Sequence, residues 1–494
     1  MNIDFDNTLH DKSLINHDLA PTPQENRTWS VWNYTALWIG MCINIPSYMI
    51  AASLIQGGMN IVQAVFTVLL GNIIVLIPMI LNGHIGVKYG IPFPVYSRIS
   101  FGVRGANIPA LLRAIVACGW FGIQSWIGGS AIYTMLQILW LDVNKFPKIL
   151  PEWFSISLVQ LLCFLVFWSI NLFLIFRGIE SIKKLESYCA PILLLSGIAL
   201  LIWAFNNAHG LTNLILAPSK FKSNTEFVKF FFPALTGIVG FWATLSLNIP
   251  DFTRYAKNQK AQIIGQALGL PLTMTLIAFI GVIVTMASFI IYGEYLWNPV
   301  ELISKFENKI IVFISMALIC LATLAMNVAA NVVAPANDFS NLCPSKINFK
   351  KGGLITAIIG LVIMPWKLVL DPSGYIFTWL VGYSALLGPV AGILLVDYFI
   401  LRKSFVNVNS LYSLSNSGDY FYTKGYNIYA LIALLCGVLP NVPGFLLQIN
   451  FVPKHLFPEY LTDLYHYAWF IGLLISSVCY LTLMKSFNHN LKQI

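Results

Sequence analysis

Carboxamides and indoles recur in this chain inside apolar runs, where polar atoms are hardest to accommodate. The run Ala117-Cys118-Gly119-Trp120-Phe121-Gly122-Ile123-Gln124 sets Trp120 and Gln124 four residues apart, which puts them on one face of a helix. Asn327 and Asn331 repeat that spacing within Ala322-Thr323-Leu324-Ala325-Met326-Asn327-Val328-Ala329-Ala330-Asn331. Asn44 lies in Asn44-Ile45-Pro46-Ser47 and Trp242 closes Thr236-Gly237-Ile238-Val239-Gly240-Phe241-Trp242. A carboxamide offers both a donor and an acceptor, so it can pair with the edge of a flat heterocycle bearing alternating N–H and C=O groups. Indole rings can stack on the faces of such a ligand. A buried amide left without its partner costs roughly 1–3 kcal/mol, which gives selectivity. The same residues have a second use. Asn and Gln join helices in membranes, and indoles also fill cores and interfacial belts. Spacing alone leaves both readings open.

Other chemistry is poorly provided for. Asp251, Asp338 and Asp397 fall near the ends of apolar runs and Arg113 near the start of one, so they read as solvated ends or loop caps. Proton pumps and carriers of charged solutes keep ionisable groups at membrane depth; their scarcity at the run centres favours a neutral solute. The chain has no HExxH zinc motif, and no Ser/His or paired-carboxylate constellation at membrane depth, which argues against an enzyme. None of the eight cysteines forms a CxxC pair; they read as small buried hydrophobes rather than metal ligands or disulfides. No cofactor is expected, and no nucleotide-binding motif points to ATP. The net charge of +9 reflects basic loops on one side of a lipid bilayer, not a nucleic-acid partner.

The elements that position these residues follow from composition. The 494 residues are 57% hydrophobic and only 10% charged, against about 25% charged in soluble proteins. A helix needs about 20 mostly apolar residues to cross the hydrocarbon core. Twelve candidate spans centre near Gly40, Gly71, Gly119, Val166, Leu194, Gly240, Ala278, Leu321, Gly360, Leu387, Leu434 and Leu473. Basic residues concentrate after the even-numbered spans: Lys88, Arg98 and Arg104; Arg177, Lys183 and Lys184; Arg254, Lys257 and Lys260; Lys346, Lys350 and Lys351; Arg402 and Lys403. The positive-inside rule then places both termini in the cytoplasm of a multi-pass protein of the cytoplasmic membrane. The acidic, polar start lacks a signal-peptide pattern; residues 1–26 read as a flexible cytoplasmic tail and 487–494 as another.

Two spans carry interruptions. Pro46 lacks an N–H and breaks span one; the Gly-rich centre of span six unwinds cheaply. The breaks sit five spans apart, in matching positions of two five-helix halves. That is the pattern of an inverted-repeat transporter with its site at the midplane.

The strings at 82–114 (NGHIGVKYGIPFPVYSRISFGVRGANIPALLRA), 240–254 (GFWATLSLNIPDFTR), 326–341 (MNVAANVVAPANDFSN) and 387–399 (LGPVAGILLVDYF) make the chain resemble the nucleobase–cation-symport-1 family, from about Arg27 to about Lys485. That family includes hydantoin, allantoin, uracil and cytosine carriers. INIPSY (43–48) brings the chain nearest to the bacterial allantoin permeases. The resemblance implies an all-α integral membrane protein of leucine-transporter fold. It has twelve transmembrane helices in a five-plus-five inverted repeat and two further helices, with spans one and six discontinuous. The repeats fall at about 27–210 and 225–403 and the last two helices at about 424–486, within a transporter domain of 27–486.

The resemblance also implies roles. Trp120 and Trp242 match two tryptophans that sandwich a ring, Gln124 and Asn331 match amides that bind its edge, and Asn44 matches a ligand-contacting asparagine. It implies a secondary carrier of a small neutral heterocycle, allantoin first, with uracil, cytosine or hydantoin as alternatives. A channel or a substrate sensor could share such spans; a channel would show neither saturation nor counterflow, and a sensor would add a soluble output domain. In sodium-coupled relatives, carbonyls of span one join a carbonyl and two hydroxyls of span eight. The matching positions are Met41 and Asn44, then Ala322, Ala325 and Met326, with both hydroxyl positions apolar. A hard cation prefers oxygen ligands, so of the two candidate coupling ions, Na+ and H+, sodium is disfavoured. Uptake is therefore expected to persist when sodium is replaced by choline; a collapse in that assay would refute the reading.

Overall fold

In lipid, backbone polar groups must be satisfied within the segment, and helices achieve this. The structure, a computed structural model, describes residues 11–140, 150–177, 179–209, 212, 215–216, 218–369, 374–453 and 455–487. Among these the chain is helical, with only isolated bridges at Trp29–Ala256 and Thr423–Tyr426. The first ten residues and residues 488–494 of the expected tails, and the side chains of Lys183, Lys184 and Cys189, lie outside the described residues.

Every expected centre falls in a helix. Span one is Val31–Cys42 with Ile45–Gln56, span two Ile61–Tyr89, span three Asn107–Leu139, span four Leu158–Arg177 and span five Ile179–Asn207. Span six is Asn224–Phe241 with Ala243–Asn248, span seven Gln259–Tyr292, and span eight Lys309–Asn331 with Val333–Leu342. Span nine is Phe349–Val362, and span ten runs from Gly374–Leu380 through Val381–Leu395 to Val396–Leu401. Ile428–Val438 and Ala468–Phe487 are spans eleven and twelve. Among the described residues eight helices are long and apolar enough to cross a membrane, and the bent pair of span one is a ninth.

Both interruptions differ in detail from expectation. Span one bends by 60°, but Pro46 sits in the first turn of the second helix, where its missing N–H has no partner to lose. The break falls at Ile43 and Asn44, and the Asn44 side chain caps the new helix by accepting from Ser47 N at 2.8 Å. In span six the Gly-rich stretch stays helical through Phe241, and Trp242 alone, at φ −102° and ψ 5°, divides the two helices.

Spans one, two, six and seven pack on one another, as do spans three, four, eight and nine. Span ten packs on span six, and spans ten, eleven and twelve pack together. The reading of Asp251, Asp338, Asp397 and Arg113 as solvated is overturned: none is more than 4% exposed. Each is enclosed because the connecting segments fold back over the span ends. The short helix Phe93–Phe101 is buried throughout, as are Tyr412 and Tyr420 of the segment after span ten. Partners compensate the burial: Arg113 Nη1 lies 3.3 Å from Asp338 Oδ2, and Arg402 Nε 3.1 Å from Asp397 Oδ2. Asp251 is held instead by hydrogen bonds, accepting from Phe93 N at 2.9 Å and from Asn248 Nδ2 at 3.4 Å.

Span ten contacts span twelve through glycine. A Cβ on Gly388 would lie 2.5 Å from the Trp469 carbonyl oxygen, too close without moving the backbone. Gly388→Ala is expected to cost about 1–3 kcal/mol as overpacking, seen as a lower Tm in detergent; an unchanged Tm would contradict this packing.

Candidate functional site

Trp120 and Gln124 project from the centre of span three, both buried. Trp120 stands edge-on to Phe241 (centroids 5.1 Å apart, planes at 75°) and to Trp379 of span ten (5.8 Å, 71°). Trp242, at the break in span six, is edge-on to Phe241 (4.9 Å, 86°) and to Trp38 of span one (5.2 Å, 86°). The two indoles are thus linked through Phe241, whose ring meets both. Tyr383 completes the cluster, 5.0 Å from Trp379 and 6.4 Å from Trp120. Sequence reasoning missed Trp38, Phe241, Trp379 and Tyr383. The signal for the last pair was available, because Trp379 and Tyr383 repeat the four-residue spacing of Trp120 and Gln124. Phe241 simply precedes Trp242.

Within this aromatic cluster several polar atoms are buried without a hydrogen-bond partner: Gln124 Oε1, Trp242 Nε1, Trp379 Nε1 and Trp38 Nε1. An acceptor and three donors therefore come from spans one, three, six and ten. Buried polar atoms are ordinarily satisfied, so these four are free to pair with a polar group brought among the rings.

The two asparagines of span eight divide the roles that the sequence left open. Asn327 Nδ2 reaches Phe121 O at 3.2 Å, Ser125 Oγ at 3.1 Å and Asn171 Oδ1 at 3.1 Å, joining spans three, four and eight. Asn331 Nδ2 donates to Asn327 Oδ1 at 3.1 Å; its own oxygen takes no part in that bond. Asn327 is the joint and Asn331 is held in place by it.

Asn44 is more committed. Its Oδ1 accepts from Ser47 N at 2.8 Å and its Nδ2 donates to Met41 O at 2.5 Å. A carboxamide retains one N–H and one lone pair beyond these. The Met41 carbonyl, one of the oxygens matched to a cation site, thus already accepts a hydrogen bond. Ala322, Ala325 and Met326 are buried and bring no side-chain oxygen, while Thr323 Oγ1 is buried without a partner. These residues fit a hard cation poorly.

Interrupted first and sixth spans, whose Trp38, Phe241 and Trp242 meet Trp120 of span three and, through it, Trp379 of span ten, are the arrangement of a membrane transporter of the inverted-repeat class. The family described as permeases for cytosine/purines, uracil, thiamine and allantoin matches residues 21–472, and the chain belongs to it. It is 44% identical to a purine-uracil permease of Arabidopsis thaliana over 481 residues, 97% of this chain and 79% of that one. It is 42% identical to an allantoin permease of Bacillus subtilis over 475 residues, 96% and 93% of the two chains. The structure resembles the inward-facing conformation of Mhp1 with a TM-score of 0.77 at 24% identity, covering 96% and 95% of the chains. A closed conformation of Mhp1 with bromovinylhydantoin bound gives 0.76 at 24% identity over 96% of each chain. The fold is therefore the leucine-transporter fold, and the chain is a multi-pass membrane permease rather than an enzyme.

The division between Asn327 and Asn331 is testable. Asn327→Ala should lower the Tm, because the two N–H groups that its Nδ2 shares among acceptors of spans three and four go with it. Asn331→Ala should leave the Tm nearly unchanged and weaken solute binding about 10-fold, the equivalent of one hydrogen bond. The opposite pattern, measured by thermal shift and titration, would reverse the assignment.

Proposed function

We propose that this permease imports a small, neutral, planar heterocycle of the nucleobase-like class, with allantoin as the first candidate, by alternating access. Trp120 and Trp242 flank the ring, with Phe241 turning aside to admit it. Gln124 and Asn331 bind its edge, and Asn44 contributes through its remaining donor and acceptor. The observation that carries this reading is the set of unpaired polar atoms in the aromatic cluster, Gln124 Oε1 and Trp242 Nε1 foremost. An acceptor and a donor fixed among rings suit a flat ligand that offers N–H and C=O groups at its rim. The Bacillus subtilis relative bears the name allantoin permease. The similar identity to a purine-uracil permease keeps uracil or a purine as the second reading.

Spans one, two, six and seven, two from each repeat, rock against spans three, four, eight and nine around this site, with the last two helices outside the cycle. Both termini lie on the cytoplasmic side of the cytoplasmic membrane. In support, Arg98 Nη2 bonds Leu14 O and Arg254 Nη1 bonds Asp18 O, so basic residues counted as cytoplasmic share one end of the molecule with the N-terminal segment. Coupling to sodium is weak or absent, given the poor oxygen set; a proton gradient or simple facilitated diffusion takes its place.

Trp120→Ala and Gln124→Ala are expected to abolish binding in folded protein, while labelled allantoin should be displaced by unlabelled allantoin better than by uracil. Unchanged uptake in both variants would remove the site, and stronger displacement by uracil would replace the solute.

A further inference from the structure

The N-terminal segment was expected to be a free tail, yet from Asp11 onward it is seated on the protein. Leu14 and Leu19 are buried. On the side of spans one, two, six and seven, Thr22 N donates to Gly90 O at 2.8 Å, Arg27 Nη1 to Val87 O at 3.1 Å, and Arg254 Nη1 to Asp18 O at 2.8 Å. On the side of spans three, four, eight and nine, Asn16 Nδ2 donates to Ser340 Oγ at 2.7 Å and Pro344 O at 3.3 Å. Between them, Arg98 Nη2 holds both Leu14 O (2.8 Å) and Asn341 Oδ1 (2.6 Å), and Tyr412 Oη donates to Leu19 O at 2.7 Å. The segment thus crosses from one helical unit to the other.

A second layer joins the same two units. Arg113 of span three, paired with Asp338, donates through Nη2 to Asn248 Oδ1 of span six at 3.0 Å. Asn248 Nδ2 lies 3.4 Å from Asp251 Oδ2, and Asp251 Oδ1 accepts from Phe93 N at 2.9 Å. The two layers are adjacent in sequence: Ser340 follows Asp338 by two residues, and Arg254 follows Asp251 by three. Arg113, Ala117, Trp120 and Gln124 lie along one helical face, so the second layer is the next polar level beyond the aromatic cluster.

We propose that residues 11–27 are the latch of the gate at this end, seated across both helical units when the gate is shut and displaced before the solute leaves on this side. This rests on the alternating-access reading above. Two features favour a latch over a permanent staple. The segment's own bonds to the unit of spans three, four, eight and nine, from Asn16 to Ser340 Oγ and Pro344 O, are neutral and water can replace them, whereas the guanidiniums of Arg27 and Arg254 tie it to the other unit. The ion pair beneath, Arg113–Asp338, lies wholly within one unit, so separating the units leaves it intact and parts only Arg113 from Asn248.

The pair Asn16→Cys and Ser340→Cys, made in a Cys343→Ser background, tests the latch in the full chain. Oxidation should form a disulfide, stop uptake in proteoliposomes and leave allantoin binding unchanged; dithiothreitol should restore the uptake of the reduced variant. Full uptake by the oxidised protein, or a pair that stays reduced, would overturn the latch. A second arm needs no solute, so it stands even if the solute assignment fails. In an Ala117→Cys protein, removing residues 1–20 behind a new initiating Met should raise maleimide labelling of that cysteine several-fold. An unchanged labelling rate would also overturn it.

Discussion

A helix in lipid has to keep its backbone groups bonded, and this transporter depends on how that requirement is met where two helices stop. At the first interruption Asn44 meets it from both ends of one side chain, taking Ser47 N on Oδ1 and giving Nδ2 to Met41 O. Pro46, in the first turn of the new helix, has no N–H to satisfy. At the second interruption Trp242 adopts a bridge conformation, and Ser246 N returns to the Trp242 carbonyl at 2.8 Å. Both breaks are thus satisfied locally. The 60° bend and the one-residue break at Trp242 lie where Trp38, Trp242, Phe241 and Trp120 meet. Edge-to-face pairs of this kind contribute about 0.5–1.5 kcal/mol each beyond burial, enough to hold the rings in register without a ligand.

On the proposed reading, selectivity follows from what that arrangement leaves unsatisfied. A polar atom kept dry and unpaired costs roughly 1–3 kcal/mol, so a ligand that pairs with it gains about that much over one that cannot. The protein separates this role from stability. Asn327 is consumed in joining three spans, whereas Asn331 is merely oriented by it. At the positions matched by resemblance to a cation site, the Met41 carbonyl already has a donor, and Ala322, Ala325 and Met326 bring no side-chain oxygen.

The charged groups belong to the ends of the spans. Breaking a buried ion pair by removing one partner costs about 3–5 kcal/mol, so Arg113–Asp338 and Arg402–Asp397 hold their surroundings firmly. The bonds that cross between helical units contribute about 1 kcal/mol each where they are neutral, as from Asn16 to Ser340 and Pro344, and about 1.5–3 kcal/mol where a guanidinium donates, as from Arg113 to Asn248. A handful of them is comparable to the roughly 5.5 kcal/mol that inverts a two-state population from one extreme to the other. Firm pairs within units and modest bonds between them suit a molecule whose halves move as bodies.

Much of this was legible in the sequence. Length and hydropathy determine the spans because lipid leaves helices few alternatives, and each expected centre lies in a helix. Proline and glycine marked the two interrupted spans, and the four-residue spacing marked the faces of Trp120, Gln124, Asn327 and Asn331. Tertiary structure alone decided which asparagine joins helices, since that depends on Asn171 and Ser125 from other spans. It alone brought Trp38, Phe241, Trp379 and Tyr383 to the site, from segments far apart in the chain. It also decided that Asp251, Asp338, Asp397 and Arg113 are buried and that residues 11–27 are seated. Hydropathy counts the cost of moving a charge into lipid; it is blind to a partner more than two hundred residues away, as Asp338 is from Arg113.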